Sequence, residues 1–196
     1  EVNHIDSATT SVTLVLYSTA ETLKLYPYCF RAELEVIVGA SLKLNLTTYN
    51  TGLAPMRITQ AMHTYFAVGD IAQTEVTGFD GVAYIDTVPG AAEVNCTQSG
   101  NIAFDCEVDR IYENFSGTAV IEDKANARKI IVKKSNSNTS VVWNPWINKA
   151  AAMSDYNNDG YLTMVCVETC NITHDAKFIS AGESWTLSTE ISEEAV

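Results

Sequence analysis

Leu42-Lys43-Leu44-Asn45-Leu46-Thr47 alternates strictly between apolar and polar side chains. Successive side chains of an extended chain point to opposite faces, so three leucines share one face here and polar groups share the other. That is the pattern of a half-buried β-strand. Val12, Leu14 and Leu16, set against Thr13, Val15 and Tyr17, repeat the same period. Further strand-like runs occupy 33–38, 56–68, 118–122, 129–133, 141–143, 161–167 and 185–191. Turn signals separate them: Asn50-Thr51-Gly52, Asp80-Gly81, Pro89-Gly90, Ser99-Gly100, Asn158-Asp159-Gly160 and Ala181-Gly182. Only 148–156 reads as helix, and a short one. Many short strands with polar turns predict an all-β, antiparallel sandwich or barrel. No fixed-period repeat, low-complexity tract or linker divides 1–196, which reads as a single domain. The basic, Asn/Ser-bearing stretch 124–138 reads as a solvated hairpin.

Composition narrows the function. Of 196 residues, 46% are hydrophobic and 18% charged, which is enough apolar material for a core and too much for a disordered chain. No apolar run approaches the ~20 residues of a membrane-spanning helix. Twelve basic against 24 acidic residues give a net charge of −12. Such a chain repels nucleic-acid backbones and anionic lipid, so neither nucleic acid nor membrane is expected as a partner. The N-terminal residues carry no basic and apolar regions of a signal peptide. Five cysteines are an odd number, which argues against a disulfide framework and for a reducing, cytoplasmic compartment. Five Asn-x-Ser/Thr matches, at Asn45, Asn95, Asn114, Asn138 and Asn171, point the other way, towards a secreted glycoprotein.

Few residues offer chemistry. His63 lies in a strand-like segment with little other charge; it reads either as a packed imidazole or as a general acid able to titrate near neutral pH. Glu168 ends Met164-Val165-Cys166-Val167-Glu168, either as a carboxylate facing water or as a partly desolvated general base. Asp109 and Arg110 read as a surface ion pair, or Asp109 as an acceptor for sugar hydroxyls. Val142-Trp143-Asn144-Pro145-Trp146 makes a rigid aromatic turn, with Trp143 and Asn144 as candidates for contact with a sugar. Asp155-Tyr156-Asn157-Asn158-Asp159-Gly160 imitates the opening of an EF-hand loop, but Cys166 stands where that loop needs Glu. Cys166, Cys170 and His174 have only a loose zinc-like spacing. No metal site is expected.

Several of these segments together resemble a known family. They are Met62-His63-Thr64-Tyr65-Phe66, Val76-Thr77-Gly78-Phe79-Asp80-Gly81 with Tyr84-Ile85-Asp86, Glu107-Val108-Asp109-Arg110-Ile111-Tyr112, 141–146, 164–168 and Gly182-Glu183-Ser184-Trp185. In this order, across nearly the whole chain, they resemble the glucose-6-phosphate 1-epimerases (hexose-6-phosphate mutarotases) of the aldose 1-epimerase family. The resemblance implies a galactose mutarotase-like β-supersandwich and a cofactor-free isomerase. It implies His63 as general acid, Glu168 as general base and Asp109 as the carboxylate that orients the substrate.

The resemblance is to the C-terminal two thirds of the family domain. The family's N-terminal strands, and a segment that helps to hold the sugar phosphate, have no counterpart here. The expected function is interconversion of the α and β anomers of a hexose 6-phosphate, a small-molecule sugar phosphate. A non-catalytic carbohydrate-binding module on the same scaffold is the alternative. His63 and Glu168 are expected on one concave face, flanking a gap the width of a pyranose ring. A sandwich without those strands is expected to bind a separate N-terminal segment or to self-associate through open strand edges.

Overall fold

The computed structural model describes residues 2–91 and 94–196. Its strands in chain order are β1 (Val2–His4), β2 (Thr10–Tyr17), β3 (Phe30–Val38), β4 (Leu42–Asn50), β5 (Met56–Ile58), β6 (Gln60–Met62), β7 (Tyr65–Ala67), β8 (Thr74–Thr77), β9 (Ala83–Asp86), β10 (Asn95–Thr97), β11 (Val108–Tyr112), β12 (Ala119–Asp123), β13 (Arg128–Ser135), β14 (Thr139–Asn144), β15 (Met164–Asn171), β16 (Lys177–Ile179) and β17 (Ser184–Ala195). Two short α-helices, α1 (Ala20–Leu25) and α2 (Trp146–Ala152), interrupt them. The strands pair antiparallel. One sheet has eight strands in the order β1-β2-β3-β4-β17-β13-β12-β8. A second runs β10-β9-β11-β14-β15-β6, and β7 also pairs with β15. β16 and β5 form a small ribbon. None of the described helices is long and apolar enough to cross a membrane.

The two sheets pack face to face. Ile121, Ile130 and Val132 of the first meet Val108, Tyr112, Val142, Val165 and Val167 of the second in the main core. Alternation along β11, β14 and β15 decides what the other face of the second sheet carries. Val141, Trp143, Met164, Cys166 and Cys170 form a separate cluster there, with Ile111 packed against it. This outer face holds the candidate site.

Three expectations change. α1, at Ala20–Leu25, is a helix where only 148–156 was expected to be one. The stretch 124–138 is not a solvated hairpin, because β13 runs through it in mid-sheet and buries Ile130 and Val132. The run 56–68 is three short strands rather than one. The helix near 148–156 is present as α2, beginning at Trp146 and ending at Ala152.

The eight-stranded sheet reaches beyond its cover. One cross-strand row runs Leu187, Leu46, Leu34, Leu14 from β17 to β2. Leu187 is 0% exposed, Leu46 and Leu34 are half-buried, and Leu14 is 59% exposed. Val12, Val36 and Leu44 form a parallel row and are also only half-buried. Leu16 and Val38 are exposed. The opposite face carries Arg31, Glu33, Glu35, Lys43 and Asn45, so the leucine face is the one built for burial.

Candidate active site

The site is assembled by register. β6 pairs Met62 with Thr169, and β7 pairs Tyr65 with Cys166. Both pairings keep one register, so the break between the strands places His63 opposite Glu168. His63 Nδ1 lies 3.4 Å from Glu168 Oε1, although 105 positions separate them in the chain. The expected gap of a pyranose width is therefore absent; the two groups touch. The imidazole is 65% exposed at the mouth, while the carboxylate is only 7% exposed.

The next strands add the walls. Asp109 on β11 pairs with Trp143 on β14, and Trp143 pairs with Cys166 on β15. Tyr65 closes this row on the far side of Cys166. The small thiol lets the rings of Tyr65 and Trp143 meet edge to face, 5.7 Å between centroids. His63, Tyr65, Asp109, Trp143 and Glu168 line one cavity of about 470 Å³, whose remaining walls are mostly apolar. A volume of this order suits a small polar ligand.

Asn144 is not among these residues. It follows Trp143 by one step, so it points to the inner face, where it is 0% exposed. Its Nδ2 donates to the carbonyls of Tyr161, at 2.9 Å, and Met164, at 2.8 Å. Its Oδ1 accepts from Trp146 N at 2.9 Å. That last bond holds the turn at which Trp146 takes φ +55°, a left-handed conformation uncommon for a bulky side chain. Asn144 thus pins the exit of β14, the start of α2 and the start of β15. Of the two tryptophans, Trp143 faces the cavity and Trp146 packs on the main core.

The electrostatics favour proton transfer. Burial, and then the nearby charge of Asp109, push the Glu168 carboxyl up to about 7; the Cys170 thiol, 3.9 Å away, opposes this. A carboxylate so tuned gains and loses a proton near neutral pH. Burial also raises the Tyr65 phenol, and the charge of Glu168 adds to it. Lys149 on α2 reaches the same cavity, with Nζ 3.2 Å from Glu107 Oε1 and 3.3 Å from Asp109 Oδ2. Sequence reading had not singled out Lys149 or Tyr65. For Tyr65 the signal was there: it lies two residues from His63, on the same face of an extended segment. For Lys149, in a helix of seven residues, it was not.

Other candidates lie apart. Cys166 and Cys170 are buried on β15, while His174 is exposed in a short 3-10 helix, Thr173–Asp175. Among the described residues, no group of three His, Cys, Asp or Glu side chains is placed to hold a metal. Asn171, one of the five glycosylation matches, is 0% exposed, and its amide donates to Asn136 O and Asp175 Oδ2.

Known proteins are similar to this chain in sequence and architecture. A protein of Cenchrus ciliaris named as a candidate glucose-6-phosphate 1-epimerase is 35% identical over 179 residues, covering 89% of this chain and 54% of its own length. An Escherichia coli protein of the same name is 35% identical over 175 residues, covering 89% and 58%. The chain thus spans about half the length of these curated relatives. A Salmonella typhimurium crystal structure described as a candidate mutarotase superposes with a TM-score of 0.89 at 30% identity, covering 100% of this chain and 64% of that one. The model of the aldose 1-epimerase family matches residues 1–192. On that match, running through both sheets and every wall of the cavity, the chain belongs to the aldose 1-epimerase family.

Proposed function

We propose that this chain carries the acid–base centre of an enzyme that interconverts the α and β anomers of a hexose 6-phosphate, with glucose 6-phosphate as the reference substrate. The observation that carries this reading is the contact between the buried Glu168 and the exposed His63 in a cavity walled by Trp143 and Tyr65.

Mutarotation requires one proton to leave the C1 hydroxyl and another to reach the ring oxygen. Both oxygens are bonded to C1, so a base and an acid serving them belong side by side. The touching pair meets that demand better than the wider gap expected from the sequence. Glu168 takes the hydroxyl proton as His63 delivers one to the ring oxygen. The C1–O5 bond breaks and C1 becomes a carbonyl. After rotation about C1–C2, the O5 hydroxyl attacks the other face, returning its proton to His63 while Glu168 protonates the new C1 oxygen. Asp109 accepts from a sugar hydroxyl, and the ring of Trp143 stacks on the sugar's apolar face. A glucose 6-phosphate exchange measurement tests this, since a positioned acid or base contributes ~10²–10⁴ in rate.

The phosphate lacks a free cation in this cavity. Lys149 is its one lysine or arginine among the described residues, and two carboxylates hold it. The bare leucine face also needs a cover. We infer that strands from a further stretch of polypeptide dock beside β6 and β7, extending the second sheet over Leu14, Leu34 and Leu46. The greater length of the relatives and the fall in burial along that row support this inference.

A further inference from the structure

The proposed base works beside another acid. Glu168 on β15 faces Asp109 on β11 across the cavity, with His63 and Tyr65 on the β6–β7 side and Cys166 and Cys170 on β15 itself. Asp109 opposes the ionisation of Glu168, because a like charge nearby favours the neutral form. Unscreened, that repulsion would leave less of the base ionised at neutral pH.

Lys149 sits where it can limit this. Its Nζ is 3.3 Å from Asp109 Oδ2 and 3.2 Å from Glu107 Oε1, and 5.8 Å from the centre of the Trp143 ring. Burial works against the ammonium, but the two carboxylates outweigh it and hold the charge on Lys149. Asp109 Oδ1 is left with no hydrogen-bond partner among the described residues. The ammonium thus lies over the Trp143 ring as well as against the carboxylate pair.

We propose that Lys149 is a positioning residue: it ties Asp109 and Glu107 into one ion cluster, leaves one Asp109 oxygen free for the sugar, and shields Glu168 from the charge of Asp109. This rests on the reading of Glu168 as the base, but its test uses neither substrate nor turnover. With carboxyl-labelled glutamate, the Glu168 resonance is identified by its loss in Glu168→Gln and followed by NMR against pH. In Lys149→Met the Glu168 midpoint is expected to rise by about half a pH unit or more. Lys149→Arg is expected to keep the wild-type midpoint. Adding Asp109→Asn to Lys149→Met is expected to bring the midpoint back down. Lys149→Gln repeats the comparison should the methionine variant not fold. A midpoint unchanged or lowered in the folded neutral variants overturns the proposal, as does a rise that Asp109→Asn does not reverse. A mutarotase reading that fails for lack of exchange leaves this titration result standing, so the two outcomes are separable.

Discussion

Replacing the buried carboxyl of Glu168 by the isosteric amide is expected to stabilise the fold at alkaline pH while disabling the site. The folded protein holds the Glu168 proton up to about pH 7, against an ordinary value of 4.5. Below 4.5 the carboxyl is protonated in both folded and unfolded chains and costs nothing. As pH rises from 4.5 to 7, the unfolded chain releases its proton first, and stability falls. Above 7 the full cost is present. At ~1.36 kcal/mol per pH unit, the difference comes to about 3 kcal/mol. Glu168→Gln removes the titration, so the amide variant gains about 3 kcal/mol on the wild type between pH 4 and pH 8. Urea unfolding followed by tryptophan fluorescence at pH 4, 6 and 8 measures it. With a slope of about 2 kcal/mol per M, the variant's midpoint lies about 1.5 M higher at pH 8. A stability difference that stays constant across this range, or that moves in favour of the wild type as pH rises, refutes the account of Glu168 as a desolvated carboxyl.

Two further outcomes follow from the structure. Asn144→Ala strands two carbonyls and one N–H in the interior, and is expected to cost about 3 kcal/mol in urea or thermal unfolding; unchanged stability with weaker sugar binding would return Asn144 to the substrate. Residues 1–196 purified alone are expected to self-associate in sedimentation and to bind a hydrophobic dye, and Leu14→Lys with Leu34→Lys is expected to suppress both. A stable, dye-negative monomer would show that the leucine face needs no cover.

Much of the fold was legible because alternation is a local signal. Leu42–Thr47 lies inside β4, and the runs near 33–38 and 185–191 lie inside β3 and β17. Where local and tertiary demands diverge, the local pattern misleads. The breaks inside 56–68 are made by pairing in space, β5 with β16 but β6 and β7 with β15, and no turn residue marks them. α1 buries none of its residues and therefore shows no apolar period; its one sequence sign is the Thr19–Thr22 capping box. In 124–138, lysines flanking Ile130 and Val132 disguised an interior strand as a solvated one.

The site divides in the same way. His63, Glu168 and Asp109, the three residues that the resemblance implied, line one cavity with Trp143 of the aromatic turn. Asn144 was misplaced because a single step along a strand changes the face, and its parity with Trp143 already assigned it inward. The 3.4 Å contact of His63 with Glu168 depends on the register of two short strands, which no single segment encodes.

In the proposed mechanism His63 and Glu168 act together as acid and base on a sugar acetal. Two-dimensional exchange NMR on glucose 6-phosphate tests it most directly, with the protein supplied in its complete form, any covering strands included. Faster α–β exchange than in buffer alone is expected, falling by ~10²–10⁴ in Glu168→Gln and in His63→Asn while both variants remain folded. Exchange at the wild-type rate in either folded variant, or no acceleration by the complete protein, would contradict it.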